Sequence, residues 1–185
     1  SAVQSIPVIA RQAAHLTVFQ RTPNFSVPAR NGKLDPDYER QVKANYAEFR
    51  RQAREAHSGV AHPIAGDSAI SVSPEERERE YERRWELGGL GFSSAYTDLI
   101  TQPESNDTAA EFFRSKIRTI VEDPTVAEAL VPKGYPFGTK RLCADTNYYE
   151  TFNRDNVTLI DLHSEPIEAI TSQGVRTSAT EYELD

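Results

Sequence analysis

Ser1-Ala2-Val3-Gln4-Ser5-Ile6-Pro7-Val8-Ile9-Ala10-Arg11-Gln12-Ala13-Ala14-His15-Leu16-Thr17-Val18-Phe19-Gln20-Arg21-Thr22-Pro23 is the stretch on which the fold turns. Val3, Ile6, Ile9, Ala10 and Ala13 recur at helical spacing and predict a helix over 1–14 with one apolar face. Pro7 lacks a backbone donor, which a helix tolerates only in its first turns, where amides have no intrahelical partner. The β-prone run Leu16-Thr17-Val18-Phe19 makes 15–20 a buried parallel strand. A helix that starts on small residues and feeds such a strand is the second half of a dinucleotide-binding βαβ unit. The expectation is therefore α/β: a partial Rossmann-like domain whose first strand and most of whose glycine-rich turn precede Ser1. Ser1 and Ala2 then fit the last positions of a G-x-G-x-x-G/A turn, as cofactor-binding candidates.

Where the second strand of such a unit ends, an acidic residue holds the ribose 2′-hydroxyl of NAD. This chain has Gln20, Arg21 and Thr22 there. A guanidinium grips a 2′-phosphate bidentately, a threonine hydroxyl adds a hydrogen bond, and no carboxylate repels the anion. The pattern points to NADPH, although a surface arginine after a strand is the plainer reading of these two residues by themselves. A second candidate is Gly134-Tyr135-Pro136-Phe137-Gly138-Thr139-Lys140-Arg141. Two adjacent cations after a Gly/Pro loop repel each other unless exposed or paired with an anion, so a phosphate or reactive oxyanion suits them. On spacing alone, a solvated basic pair at a domain edge is the plainer reading of Lys140 and Arg141.

Between these segments the chain is helical. Asp35-Pro36 is a helix start, and Tyr38, Val42, Tyr46, Phe49 and Ala53 form one amphipathic stripe behind it. Residues 57–71 read as loop. Ser73-Pro74-Glu75-Glu76 is a capping box, and its helix carries Tyr81 and Trp85 and ends at Gly88-Gly89. Asn106 or Asp107 opens another helix, and Asp123-Pro124 a short last one before Pro132. After Arg141 the α/β pattern returns: a short helix over 147–153, strands over 157–162 and 166–170, a turn at Ser172-Gln173-Gly174, and a last strand through Tyr182 and Leu184. Three segments result: 1–31 and 139–185 as parts of the NADP-binding domain, and 32–138 as a large all-helical insertion.

Composition narrows the function classes. The 185 residues carry a net charge of −7, which argues against a nucleic-acid partner. With 38% hydrophobic residues, some surface is expected to pack against further polypeptide. No apolar run is long enough to span a bilayer, so no membrane partner is expected. Cys143 is the one cysteine, which excludes an intrachain disulfide and makes a reducing cytoplasm the expected compartment. His57 and His62 lack the helical i, i+4 spacing of a zinc site, and no metal site is expected. His15 and His163 read as surface or packing residues, and the Glu/Arg run from Glu75 to Glu86 as a solvated helix face.

Val18-Phe19-Gln20-Arg21-Thr22-Pro23, Val27-Pro28-Ala29-Arg30-Asn31, the 134–141 segment and Tyr148-Tyr149-Glu150-Thr151-Phe152-Asn153-Arg154-Asp155-Asn156-Val157 resemble the Baeyer–Villiger monooxygenases. The resemblance runs through essentially the whole chain and is strongest to the phenylacetone and steroid type. It implies that NADPH reduces a bound FAD, that the reduced flavin adds dioxygen, and that the peroxide attacks a ketone to give an ester or lactone. It also implies that Arg21, Thr22 and Lys140 hold the 2′-phosphate of NADPH. By the same resemblance, Arg141 is the catalytic arginine that stabilises the negatively charged peroxyflavin and adduct and helps to position the nicotinamide. Two features of the family, the FAD-binding domain and its F-x-G-x-x-x-H-x-x-x-W fingerprint, are not found in the chain, so the chain alone is expected to be inactive. Two other readings remain: a related flavin monooxygenase that oxidises nitrogen or sulfur, and a non-catalytic interaction module built on the helical part.

Overall fold

Helix α1 (Ala2–Ile9) leads into strands β1 (Leu16–Gln20) and β2 (Ser26–Pro28) in the computed structural model, which describes residues 1–56, 59 and 66–185. A helical stretch follows: α2 (Pro36–Ala44), α3 (Tyr46–Glu55), α4 (Pro74–Leu87), a 3₁₀ turn at Leu90–Ser94, α5 (Pro103–Ile120) and α6 (Pro124–Leu130). The chain closes with β3 (Cys143–Asp145), α7 (Tyr148–Thr151), β4 (Val157–Asp161), β5 (Ile167–Ile170), β6 (Gly174–Thr177) and β7 (Glu181–Glu183). These elements form two compact units.

The first unit comprises Ser1–Ser26, Phe113–Tyr135 and Asn147–Asp185. β1 and β4 pair in parallel, from Leu16 opposite Val157 to Gln20 opposite Asp161. Ile6, Ile117, Leu130, Tyr148, Tyr149 and Phe152 form the core, and Leu16 and Val18 pack against it. The expected strand is thus present and parallel, but half-buried along its length, because among the described residues only one edge of β1 is paired. α1 is shorter than predicted. Asn156 Nδ2 donates to the carbonyls of Ala10 and Ala13, which satisfies the helix end and breaks the 3.6-residue periodicity there. Ile9, expected on the apolar face, is consequently exposed while Ala10 is buried. β5, β6 and β7 form an antiparallel sheet, with the expected turn closed by Thr171 N–H donating to Gly174 O at 2.9 Å.

The second unit comprises Val27–Phe112 and Pro136–Thr146. Of the helices that begin at a proline, α2, α4 and α6 are capped as their sequences require. The Asp35 side chain accepts from Asp37 N–H, Ser73 from Glu76 N–H, and Asp123, in the first unit, from Thr125 and Val126 N–H. Tyr81 stacks on Phe92 with ring centroids 5.2 Å apart, and Trp85 meets Phe112 edge-on at 6.0 Å. α4 stops at Gly88, whose φ of +71° places its Cα where a side chain would meet the Pro28 carbonyl at 2.5 Å.

Two helix readings need correction. The stripe from Tyr38 to Ala53 belongs to two helices, interrupted at Asn45 (φ −117°), and neither has a buried residue. α5 begins at Pro103 rather than at Asn106 or Asp107, because Asn106 turns inward instead of capping. The compact units also run differently from the segments 1–31, 32–138 and 139–185: residues 113–135 belong to the first unit and Lys140 and Arg141 to the second.

Candidate nucleotide-binding site

Strand alternation sets the direction of Arg21. Gln20, the last residue of β1, turns its amide inward and donates from Nε2 to the carbonyl of Ala129 at 2.8 Å. Its successor therefore faces the opposite way, and both Arg21 and Thr22 are exposed. The backbone just beyond is fixed from below: Tyr135 OH donates to Pro23 O at 2.5 Å, and Tyr149 OH to Asn24 O at 3.3 Å. Phe25 packs edge-on against Phe113 and Tyr135. The two candidate phosphate ligands thus stand on a braced turn at the carboxyl end of a parallel strand, where such sheets bind ligands.

One carboxylate does lie at this end of the sheet, contributed by the neighbouring strand rather than by β1. Asp161 is the register partner of Gln20, and its Oδ1 accepts the His163 N–H at 3.0 Å. A reading confined to residues 20–22 misses it.

Ser1 and Ala2 are exposed at the start of α1. The Ser1 carbonyl accepts from Gln4 and Ser5 N–H, both at 3.0 Å, so the first turn is formed, but the serine side chain makes no cap. Lys140 and Arg141 sit in the second unit, exposed between buried Phe137 and Leu142. Thr139 folds back on the Pro136 carbonyl through its N–H (3.4 Å) and Oγ1 (2.8 Å), and β3 begins two residues after Arg141. The structure thus pairs Arg21 with Thr22 and Lys140 with Arg141, each pair on a loop tied down on both sides. β3 itself was not read from the sequence, since three residues are too few for a period-two signal.

The remaining candidates stay outside this chemistry. His15 Nε2 lies 3.0 Å from Thr158 Oγ1. Cys143 is half-buried, its Sγ 3.9 Å from the Arg141 carbonyl. Among the described residues no cluster of His, Cys, Asp and Glu is arranged to hold a metal, and no helix is long and apolar enough to cross a membrane. His57 and His62 lie outside the described residues.

Comparison with known proteins places these segments. No protein-family model matches the chain. A Baeyer–Villiger monooxygenase of Pseudooceanicola batsensis is 42% identical over 187 residues, covering 99% of this chain and 34% of the relative. The 2-oxo-Δ3-4,5,5-trimethylcyclopentenylacetyl-CoA monooxygenase of Pseudomonas putida is 38% identical over 184 residues, with the same coverage. Phenazine N-monooxygenase PhzNO1 of Lysobacter antibioticus is also 38% identical, over 186 residues, 99% of this chain and 34% of the relative. Among solved structures, oxidised steroid monooxygenase bound to NADP superposes with a TM-score of 0.95 at 50% identity, over 100% of this chain and 35% of that one. OTEMO in complex with FAD and NADP superposes with a TM-score of 0.96 at 37% identity, over 100% and 34%. Homology with Baeyer–Villiger monooxygenases therefore runs through essentially the whole chain. The chain spans about a third of the length of the curated relatives it matches.

Proposed function

We propose that this chain is the NADPH-binding portion of an FAD-dependent Baeyer–Villiger monooxygenase, which converts ketones to esters or lactones with O2 and NADPH. The observation that carries the reading is the match of the whole chain to NADP-bound steroid monooxygenase at 50% identity. In this reading the fold is a partial Rossmann-like NADP-binding domain made of 1–31 and 139–185, with 32–138 as a helical insertion. The run from α1 through β1, with β1 parallel to β4, supports it. Arg21 and Thr22 serve the 2′-phosphate, Lys140 adds a second cation to it, and Ser1 and Ala2 lie where a helix N-terminus favours the pyrophosphate.

The residues fit the cofactor. A guanidinium and a hydroxyl on one loop and an ammonium on another, all exposed, are each suited to an anion, and the strand-end position that would repel a 2′-phosphate carries no acid. FAD, held chiefly by a domain of the same protein outside this chain, supplies the oxygen-activating chemistry when bound. Arg141 would offer its guanidinium to the negative charge that builds up on the oxygenated adduct when the complete enzyme is assembled around it. The lone Cys143 suits a reducing cytoplasm.

Arg21→Ala in the complete enzyme should remove a charge-assisted contact, weakening NADPH by about tenfold to a hundredfold and leaving NADH nearly unaffected in steady-state kinetics. Equal losses with both coenzymes would rule out the 2′-phosphate assignment. Arg141→Ala should abolish ketone oxygenation in protein that still binds NADPH; retained oxygenation would remove its catalytic role. The phenazine N-monooxygenase relative favours a second reading, oxidation of nitrogen or sulfur. Product analysis with a ketone and a thioether in competition separates the two.

A further inference from the structure

Asn106 is polar and 5% exposed, and every polar hydrogen it carries is used. Its Oδ1 accepts the Phe137 N–H at 2.9 Å, while its Nδ2 donates to the Phe137 carbonyl at 2.8 Å and to the Leu99 carbonyl at 2.7 Å. A primary amide displays a C=O and an N–H side by side, as a peptide edge does. With Phe137 it therefore reproduces the paired exchange of an antiparallel bridge. Apolar side chains of that volume fill a core without the cost of desolvating an amide, so the clamp has a purpose beyond packing.

That purpose lies three and four residues on. We propose that Asn106 is a positioning residue for Lys140 and Arg141, fixing the loop that presents them by holding Phe137 at two points. The proposal rests on the reading of those two cations as NADPH-contacting groups. The clamp stands on rigid ground: Asn106 N–H donates to Gln102 O, just before α5, at 2.9 Å, and neighbouring Ser105 Oγ donates to Asp98 Oδ2 at 2.6 Å. Gly138 follows in the left-handed region (φ +85°), where glycine turns without strain. A cavity of about 230 Å³, lined by Ile100, Gln102, Asn106, Phe137, Gly138 and Thr139, leaves the loop room to sag once the clamp is cut. A shift on the order of 1 Å at a cation facing a phosphate is enough to lose the alignment that binding needs.

The test uses Asn106→Ala, Asn106→Ser and Lys140→Ala in the complete enzyme, with hydrogen exchange and calorimetric titration of NADP+ and NAD+. Asn106→Ala should speed amide exchange across 137–141 by about tenfold while α4 is unchanged. It should raise the Kd of NADP+ by about fivefold and leave that of NAD+ within about twofold. Asn106→Ser, which keeps one polar atom for Phe137, should fall between, and it carries the test if the alanine variant does not fold. An unchanged NADP+ to NAD+ ratio in folded Asn106 variants, alongside a lowered preference in Lys140→Ala, overturns the proposal. If Lys140→Ala also leaves the ratio unchanged, the phosphate reading of Lys140 falls instead. The clamp is then judged by exchange alone, and normal protection across 137–141 in Asn106→Ala overturns it.

Discussion

Asp98 has a carboxylate enclosed by donors: Ser68 Oγ at 2.5 Å, Ser105 Oγ at 2.6 Å and the Ala69 amide at 3.0 Å. Burial pushes its pKa upward, but the hydrogen bonds from Ser105, Ser68 and Ala69 outweigh that and hold it below the usual aspartate range. A depressed folded-state value means that the ionised form stabilises the fold above the unfolded value of about 3.9, and that this contribution is lost as pH falls through the lower folded value. Asp98→Asn should therefore cost about 1–3 kcal/mol at pH 7, the penalty for leaving buried donors poorly matched. The gap to the parent protein should narrow below about pH 4, read from urea midpoints across the pH range. No local pattern announces this residue, since its partners come from positions 68, 69 and 105. The same holds for Asn106, whose partners are at 99 and 137. The place of Arg21, just past the end of a strand, was legible because it depends on β1 alone.

Helix starts were legible for the opposite reason. A cap and its helix are neighbours in sequence, so Asp35-Pro36, Ser73-Pro74 and Asp123-Pro124 each declared a boundary that the structure repeats. Ser73→Ala should lower stability by about 1 kcal/mol through the lost bond to Glu76 N–H, measured by chemical denaturation. α5 escaped because Gln102-Pro103 offers no short capping side chain and its polar residues 105–107 resemble a cap. The stripe on α2 and α3 predicted helix correctly, but amphipathicity does not say what covers the apolar side. Tyr38 and Tyr46 remain more than half exposed, whereas Tyr81, on the densely charged α4, is buried at the centre of an aromatic cluster. Along α3, Arg51 holds the Glu48 carboxyl down to about 2, yet both side chains are in water, and such pairs add little to stability.

Both units are discontinuous: the first is assembled from three stretches of chain and the second from two. Sequence periodicity sees stretches, not assemblies, which is why residues 113–135 read as part of one continuous helical region. They supply Ile117, Val121, Leu130 and Val131 to the core of the first unit. Excising 32–138 as a cassette should therefore leave 1–31 joined to 139–185 without cooperative thermal unfolding, as followed by circular dichroism. A sharp transition in that variant would show that the core survives without those residues. The parallel pairing of β1 with β4 adds a constraint in time. Residues 16–20 leave the ribosome well before the strand that pairs with them, which spans 157–161. At ~5–20 residues per second, translation keeps the edge of β1 that β4 covers bare for on the order of ten seconds. Productive synthesis of this chain is therefore a race between elongation and mispairing, and slowing the ribosome works against the nascent protein.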